Sequence, residues 1–512
     1  MRPPTRLLCY VLLLLLLNAC AAQNPVPTTP IPIKSSATSL PLTPSLAAAT
    51  VQLDATPTKS PVSPTVQPPS LTPTPTNPIN QPTQYEISAE LDYYQHRLSV
   101  EEQIAYTNNT SEPLPNLMLI IEPARYPNVF ILNRIAWGDG EPILDYTRDI
   151  AYLRIPLEPD LQPNDSVELQ LSYDLLLPSP SPSYYGRPVP FGYSSRQTNL
   201  VDWYPFIPPY VPGQGWWVNE AGYFGEHLVY ESADFEVHIR LSDTGAELVI
   251  AASSPAEIEG DWHHYQLKAA RNFVWSVSDQ YVLTTTTVDS VAVLGYYFAA
   301  NARAGEAALQ TTAEALDLYN DLFGPYPRRS LSVVEADFLD GMEYDGLFFL
   351  SKGFYNLYSG GPADYLTAIA AHETAHQWWY SAVANDQALE PWLDEALSTY
   401  SERLYYENIH PQGLDWWWTY RVHYYQPGGW VDGSIYNPEG FRAYRDAIYL
   451  NGALFLEDLR DLVGDDPFFH FLSAYTTKYT HQIVTADRFF DLLDDFTEQD
   501  ITPLLERYFQ HR

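Results

Sequence analysis

The sequence predicts a multidomain chain in which an all-β sandwich or saddle precedes a mainly helical α+β domain. Three features of the printed sequence support this fold class. Residues 20–83 consist largely of Pro, Thr and Ser, a composition that cannot bury enough apolar surface to form a core. Residues 84–298 alternate between apolar and polar side chains, which is typical of β-strands. From residue 299 the apolar side chains recur with the spacing of α-helices.

Residues 1–19 predict a secretory signal peptide. Arg2 and Arg6 flank the start of the chain, and the apolar run LLCYVLLLLLL that follows is too short to cross a membrane comfortably. The four residues LNAC, which end at Cys20, resemble a bacterial lipobox. The resemblance implies that Cys20 is lipidated and that the protein is extracytoplasmic and anchored to the membrane. An ordinary cleaved signal peptide remains the alternative.

Residues 20–83 predict a disordered tether between this anchor and a folded body. Segments such as NPVPTTPIPIKSS and PTVQPPSLTPTPTNP are restrained by proline and favour an extended chain. Cys9, inside the signal peptide, is the other cysteine of the sequence. The exported body therefore has no disulfide and depends on its hydrophobic core.

The charge balance excludes one class of partner. The chain has 63 acidic and 27 basic residues and a net charge of -36. Such a surface argues against nucleic-acid binding and against adhesion to anionic lipid by charge. We expect contact with the membrane through the lipid anchor alone. The oligomeric state does not follow from the sequence.

Residues 84–298 predict antiparallel sheets without chemistry of their own. Stretches such as EISAELDYY, VELQLSYDLLL and FEVHIRLS alternate in period two and are separated by polar turns. The Pro- and aromatic-rich residues 178–220 predict an irregular insertion. Residues 299–512 then begin with AGEAALQTTAEALDLYNDLFG, which predicts a helix ending at Gly324. LSVVEA and LFFLS predict strands, and helical segments follow to the end.

The stretch AAHETAHQWW carries the main chemical signal of the sequence. His372 and His376 lie one helical turn apart on the same face, so both imidazoles can reach one ion. Glu373 lies beside them, where it can contact a bound water. Pro362 suits the first position of this helix. The pattern predicts a zinc site, with two structural histidines as the alternative.

A third ligand has a candidate downstream. Eighteen residues separate His376 from Glu395, which belongs to a helix predicted to start near Pro391. A carboxylate there completes a His2Glu zinc site. Its apolar neighbours make Glu395 a poor fit to a solvated helix face. Glu402, seven residues later, falls on nearly the same face and can accept a hydrogen bond from a ligating imidazole.

HETAH, the eighteen-residue spacing and WLDEALSTYSE together resemble the zinc aminopeptidases of the membrane alanyl aminopeptidase family, which are gluzincins. The metzincin pattern is excluded, because Trp379 and Ala382 stand where it requires a glycine and a third histidine. The resemblance implies a thermolysin-like catalytic domain over residues 299–512 with one Zn2+ per chain. It also implies the following roles: His372, His376 and Glu395 as metal ligands, Glu373 as general base and Glu402 as the partner of a ligand.

The family also has a glycine-x-Met-Glu-Asn strand whose glutamate captures the free amino group of the substrate. FLDGMEYDG is similar and implies that Gly341, Met342 and Glu343 bind the substrate. Tyr344 replaces the family's Asn. Further departures are Asp394 in place of Asn and Ala396 and Tyr380 in place of Gly.

A tyrosine that stabilises the oxyanion is the third family element. DAIYLNGALFLEDL matches its context and implies this role for Tyr449, with Asn451 in place of the family's Lys. Tyr444 is the competing candidate. The aromatic run DWWWTYRVHYY, residues 415–425, is open to two interpretations, a pocket for aromatic or sugar ligands or a helix face in the core.

These residues predict a zinc-dependent aminopeptidase that hydrolyses peptides with a free N-terminus outside the cytoplasm. The sequence shows no counterpart of the large helical C-terminal domain of many family members, so we expect an open cleft. Two alternatives remain: a zinc endopeptidase using that cleft, and a noncatalytic peptide-binding or structural lipoprotein that keeps the fold.

Overall fold

The computed structural model describes residues 81–179, 190–242, 247–437 and 439–512. All of these residues belong to one compact unit. The predicted signal peptide, the lipidation site Cys20 and all but the last three residues of the predicted tether lie outside the described residues. Among the helices that are described, none is both long and apolar enough to span a membrane.

The β-rich part is built from a seven-stranded, a four-stranded, a three-stranded and a two-stranded sheet. The seven-stranded sheet has the order β14-β15-β12-β1-β2-β7-β4. The strand bounds are β1 Thr83–Asp92, β2 Arg97–Thr107, β3 Leu114–Ile120, β4 Phe130–Trp137, β5 Thr147–Asp149, β6 Tyr152–Leu161, β7 Ser166–Leu176, β8 Gly192–Tyr193, β9 Thr198–Leu200, β10 Tyr210–Val211, β11 Gly215–Trp216, β12 Ala233–Ser242, β13 Val249–Ala252, β14 Ala256–Glu259, β15 Trp262–Ala270 and β16 Trp275–Ser278.

The alternation of apolar and polar residues in the sequence corresponds to alternating burial along the strands. Along β1, every second side chain is buried, and the others face the opposite side of the sheet. Buried residues of the separate sheets, including Ile87, Leu117, Leu200 and Trp275, belong to one hydrophobic core. The prediction of a β-rich first part followed by a helical α+β part is confirmed.

A five-stranded sheet joins the two parts of the chain. Its order is β17-β18-β19-β21-β20. Its strands are β17 Tyr281–Val288, β18 Val291–Phe298, β19 Ser330–Ala336, β20 Gly341–Tyr344 and β21 Leu347–Ser351. The first two strands precede the predicted boundary at residue 298, yet β18 pairs in parallel with β19 beyond it. The boundary itself stays a prediction.

Helices make up most of the rest of the chain. Their bounds are α1 Ala302–Phe323, α2 Lys352–Leu357, α3 Tyr365–Ala375, α4 Trp392–Asn408, α5 Leu414–Trp416, α6 Phe441–Arg445, α7 Gly452–Val463, α8 Asp465–Tyr479, α9 Ala486–Leu493 and α10 Thr502–Tyr508. Two π-helical turns, Trp417–Val422 and Asp446–Asn451, interrupt this pattern. The helix α1 is followed by Gly324, which has a φ of 109°. The end of the helix at this glycine agrees with the sequence prediction.

Arg271 connects the β-rich part to the helical part. Its buried guanidinium donates to the carbonyl oxygens of Ser381, Ala382 and Gln482, at 3.2, 3.3 and 3.0 Å. Burial lowers the pKa of Arg271 to about 10. The segment that follows α3 is therefore held against the β-rich part by a charged group with several backbone acceptors.

Candidate active site

The helix α3 begins with a side-chain cap. Asp364 has extended backbone angles, and its carboxylate accepts a hydrogen bond from the backbone N–H of Leu366 at 3.0 Å. The helix therefore starts at Tyr365 and not at Pro362, because the Asp364 side chain satisfies an N–H that has no intrahelical acceptor. The helix ends at Ala375, so His372 lies in its last turn and His376 caps it.

Three predicted metal ligands converge at the end of this helix. The Nε2 atoms of His372 and His376 are 3.1 Å apart. The Oε2 atom of Glu395, which α4 contributes, lies 3.2 Å from Nε2 of His372 and 3.5 Å from Nε2 of His376. All three residues are buried.

The other ring nitrogens face hydrogen-bond acceptors. Nδ1 of His372 is 2.9 Å from Oε1 of Glu402, and Nδ1 of His376 is 3.0 Å from the carbonyl oxygen of Trp379. Each Nδ1 then carries the proton, and each Nε2 directs a lone pair towards the carboxylate of Glu395. Such groups repel one another unless a cation lies between them.

The donor set fits Zn2+. Tetrahedral zinc with bonds of about 2.0–2.1 Å places its ligands about 3.3–3.4 Å apart, close to the distances between these three atoms. Two imidazoles and one carboxylate leave one coordination position for water or substrate.

A hydrogen-bonded network supports His372 from behind. The carboxylate of Glu402 accepts two hydrogen bonds from the guanidinium of Arg421, at 2.9 and 2.8 Å, and one from Nε1 of Trp417 at 2.8 Å. Burial raises the pKa of Glu402. The charge of Arg421 and the hydrogen bond with His372 lower it by a larger amount, so the net pKa lies below its ordinary value. Glu402 is thus an ionised acceptor for the Nδ1 proton of His372.

Glu373 lines a cavity together with the three predicted metal ligands, whereas Glu402 does not. Its side chain is buried, and its Oε2 atom finds no hydrogen-bond partner among the described residues. A Cβ atom placed on Gly341 would be 1.9 Å from Oε1 of Glu373. Gly341 therefore provides space for the carboxylate, because any larger residue would displace it.

Two further carboxylates approach the same cluster. Single oxygen atoms of Glu226, Glu343 and Glu395 lie within 4.8 Å of one another. Glu343 accepts a hydrogen bond from Nε2 of Gln387 at 3.0 Å, and the same amide donates to Asp394 at 2.9 Å. The sequence gives no signal for Glu226, because the surrounding FGEHLVY has no periodic pattern and lies far from the zinc motif in the chain.

Tyr449 lies beside the predicted metal ligands. Its hydroxyl donates to Oε1 of Glu395 at 2.5 Å, and its ring is parallel to that of His372, with centroids 6.0 Å apart. Tyr449 lines the cavity beside the metal ligands, whereas Tyr444 is buried behind it and does not line that cavity. This arrangement favours Tyr449 over Tyr444.

The open space in front of these residues is a cavity of about 450 Å3. Its walls include β20 with Gly341, Met342 and Glu343, the loop with Glu226, and residues Arg421 and Arg445. A smaller cavity of about 40 Å3 continues past Glu343 and is also lined by Met342 and Tyr380.

Comparison with known proteins agrees with this geometry. Residues 307–508 match the family model described as the peptidase family M1 domain. Aminopeptidase M1-B of Oryza sativa subsp. japonica is 25% identical over 235 residues, which are 43% of this chain and 27% of that protein. Aminopeptidase N of Lactobacillus delbrueckii subsp. lactis is 22% identical over 297 residues, 54% of this chain and 35% of the relative.

Solved structures share the fold over a larger part of the chain. A mutant M1 zinc metallopeptidase from Deinococcus radiodurans superposes with a TM-score of 0.61 and 19% identity, covering 84% of this chain and 94% of that one. The form bound to a Tyr-Ser-Ala substrate gives a TM-score of 0.60 at 18% identity, covering 83% and 93% of the two chains.

The fold and the donor set define a zinc metallopeptidase. Within that class, residues 307–508, which are less than half of the chain, are similar to the peptidase family M1 domain. The matched stretch spans about a quarter to a third of the length of the curated relatives.

Proposed function

We propose that the protein is a zinc aminopeptidase that removes N-terminal residues from peptides outside the cytoplasm. One observation supports this most strongly: the carboxylates of Glu343 and Glu226 converge within 4.8 Å of the ligand Glu395. A protonated α-amino group fits between these acids, because buried carboxylates favour a cation. A peptide held there places its first peptide bond beside the metal ligands.

His372, His376 and Glu395 would hold the zinc ion in this proposal. When bound, zinc acidifies a water molecule and polarises the scissile carbonyl. Glu402 keeps the Nδ1 proton on His372, and the Trp379 carbonyl does the same for His376. Both Nε2 lone pairs are then oriented towards the metal before it arrives.

Glu373 acts as the general base. Its partner-free Oε2 atom is available to accept the proton of the attacking water. The same carboxyl then donates that proton to the departing amine. Gly341 fixes the position of this carboxylate by leaving room for it.

Tyr449 stabilises the oxyanion that forms when water adds to the carbonyl. Its hydroxyl currently donates to Glu395 and lies on the cavity wall, so a small rotation lets it donate to a substrate oxygen. A preorganised donor of this kind lowers the barrier because its dipole is already oriented.

The test is hydrolysis of aminoacyl fluorogenic amides by the zinc-loaded chain, with N-acetylated copies and a Glu373→Gln control. We expect turnover of the free-amine series alone and none in the control. Equal cleavage of acetylated peptides would show an endopeptidase and contradict amine capture. Stoichiometric zinc binding without any cleavage would instead support a noncatalytic binding protein.

We further propose that the protein is anchored to the membrane through a lipid on Cys20. The support is the sequence of residues 1–20, a signal peptide followed by LNAC. Cys20→Ser should move the protein from the membrane fraction to the soluble extracytoplasmic fraction. Retention of the variant in the membrane fraction would contradict the anchor.

A further inference from the structure

A second concavity lies beside the zinc cavity, at the N-terminal end of α3. Its volume is about 400 Å3, and we call it the tyrosine groove. Its aromatic and large apolar lining residues are Phe354, Leu357, Tyr365, Trp416, Tyr420, Tyr424 and Tyr425. Leu357, Tyr424 and Tyr420 are 80%, 72% and 52% exposed, so an apolar surface faces solvent here.

The position of β20 gives the direction of a bound peptide. This strand lies at the edge of the five-stranded sheet and faces the zinc cavity with Gly341 and Glu343. If Glu343 holds the amino group, the residues after the scissile bond pass Gly341 and continue towards Leu339. Leu339 also lines the zinc cavity and is 70% exposed.

The tyrosine groove continues this path along one wall. Ser351, which caps α2, donates its backbone N–H to the carbonyl of Asp340 at 2.9 Å and its hydroxyl to the carbonyl of Phe338 at 2.7 Å. Phe338 and Asp340 line the zinc cavity, whereas α2 supplies Phe354 and Leu357 to the groove.

The opposite wall is continuous as well. Arg445 lines the zinc cavity, and its guanidinium lies 4.0 Å from the centroid of the Tyr425 ring. Tyr425 also lines the tyrosine groove, where its hydroxyl is 3.1 Å from that of Tyr365. Both walls therefore lead from the metal ligands into the groove.

The distance fits a peptide of ordinary length. Tyr365 precedes His372 by seven residues on α3, which is about 10 Å at 1.5 Å per residue. An extended peptide advances about 3.3 Å per residue, so about three residues cover this distance. The side chain that reaches the groove belongs to about the fourth residue of a substrate whose first bond is cut.

We propose that the tyrosine groove is a downstream specificity site, which binds an aromatic or large apolar side chain near the fourth residue of the peptide substrate. The inference rests on the proposed aminopeptidase function, because that function fixes the direction and register of the peptide. Exposed tyrosine rings contribute flat apolar surface together with polar hydroxyls, which suits aromatic side chains.

A binding experiment tests the groove without turnover. The full chain with Glu373→Gln, loaded with zinc, is titrated with Ala-Ala-Ala-Trp-Ala-Ser and with Ala-Ala-Ala-Ser-Ala-Trp, and binding is measured by calorimetry. Partial burial of the indole predicts about tenfold tighter binding of the first peptide. The preference should disappear in Leu357→Ser and in Tyr424→Ser, both of which change exposed side chains.

Tyr94→Ser is the matched control, because Tyr94 is 47% exposed and belongs to the β-rich part. It should keep the tenfold preference. Equal affinity for the two peptides would overturn the proposal, and so would a preference that survives both groove substitutions.

Turnover separates this inference from the proposed function. With Glu373 intact, Tyr424→Ser should raise KM for the first hexapeptide about tenfold and leave hydrolysis of alanyl fluorogenic amide unchanged, because the amide is too short to reach the groove. Failure of the wild-type chain to hydrolyse the amide would contradict the aminopeptidase proposal, while the calorimetric comparison would still decide the groove.

Two other occupants of an aromatic groove would overturn the proposal. Sedimentation of the full chain would show a dimer that Tyr424→Ser dissociates, if a second copy covers the groove. Titration with chitotriose would show binding that Tyr424→Ser abolishes, if the groove binds sugars.

Discussion

The two sides of the metal-ligand cluster differ in how their carboxylates are paired. Behind His372, Glu402 accepts hydrogen bonds from Arg421 and Trp417 as well as from the imidazole. In front, Glu373 and Glu343 face an open cavity, and one oxygen of Glu373 has no partner among the described residues. The hydrogen bonds behind His372 fix the position of its imidazole, whereas Glu373 and Glu343 face the space that a substrate would occupy in the proposed function.

Different exposure to solvent does not explain this difference in pairing. Glu402, Glu373 and Glu343 are 0%, 4% and 6% exposed. Burial raises the pKa of each of the three, and for Glu373 the net pKa stays well above its ordinary value. For Glu402 the adjacent guanidinium of Arg421 reverses the direction. The charge of Arg421 and the hydrogen bond with His372 therefore distinguish the pKa of Glu402 from that of Glu373, the proposed general base.

The largest expected effect follows substitution of Glu373, the proposed general base. Glu373→Gln should lower kcat by about 10³-fold, because a positioned general base contributes about 10²–10⁴-fold. Hydrolysis of an alanyl amide, together with zinc content by metal analysis, measures the change. Zinc content should stay at one per chain, since Glu373 is not a ligand in the proposed site. A variant that keeps a tenth of the activity would contradict the assignment.

A smaller loss should follow displacement of the same carboxylate. Gly341→Ala places a methyl group 1.9 Å from Oε1 of Glu373, so the carboxylate must move. A displacement of about 1 Å at a reacting group can cost about 10²-fold in kcat. Gly361→Ala is the matched control, because its Cβ has no heavy atom within 4 Å. Equal activity of the two variants would show that Gly341 does not position Glu373.

Behind the metal, the expected effect is on zinc affinity. Arg421→Met removes both guanidinium hydrogen bonds to Glu402, and loss of such a supporting partner costs about 10–100-fold in metal affinity. Competition with a fluorescent chelator measures it. Arg442→Met, at an exposed guanidinium, should leave affinity unchanged.

The coupling between Arg421 and Glu402 can be measured in a double-mutant cycle. If Arg421 acts through Glu402, the double variant Arg421→Met/Glu402→Gln should lose much less zinc affinity than the product of the two single-variant losses. Additive losses would contradict that route.

The proposed amine site at Glu343 and Glu226 predicts a change in KM. Glu226→Gln removes one of the two negative charges beside Glu343 and should raise KM for alanyl amide about tenfold, with kcat less affected. The loss comes from weaker attraction of the α-amino cation. Glu220→Gln, on the same connecting segment at a residue that does not line the zinc cavity, is the control. An unchanged KM would remove Glu226 from the amine site.

Sequence spacing places His372 and His376 on one face of α3. The structure brings Glu395 of α4, the predicted third ligand, to within 3.5 Å of both imidazoles, and the Tyr449 hydroxyl donates to Glu395. The sequence could not predict Glu226 or Arg421. Glu226 comes from an aperiodic loop of the β-rich part, and Arg421 depends on a π-helical turn, Trp417–Val422. Long-range loop placement and a change of helix type have no counterpart in a 3.6-residue pattern.

The fold shows the same limit. Period-two alternation predicted the strands around β1, but it did not predict that β17 and β18 join the sheet of the helical part. The run 415–425 was open to two interpretations, and the structure divides it. Trp417 is fully buried, whereas Tyr420 and Tyr424 are exposed in the tyrosine groove. Strand partners and helix faces depend on tertiary packing, which local periodicity does not encode.

Glu102, a buried acid far from the zinc cavity, tests how burial without a charged partner changes the pKa of a carboxyl. Glu102 lies in the core of the β-rich part, 1% exposed, where burial raises its pKa well above the ordinary value. The native state then keeps a proton that the unfolded chain releases above about pH 4.5. The free energy of unfolding should therefore fall by up to about 1.4 kcal/mol per pH unit from there towards the folded-state pKa.

Glu102→Gln removes this titration and keeps the shape of the side chain. The variant and the wild type should unfold at similar denaturant concentrations near pH 4, and the variant should be more stable by about 1–3 kcal/mol at pH 8. Urea unfolding at the two pH values measures the difference. A difference that does not grow with pH would mean that Glu102 is ionised in the folded core. In that case burial alone would not distinguish it from Glu402, and the contrast that we assign to Arg421 would need another cause.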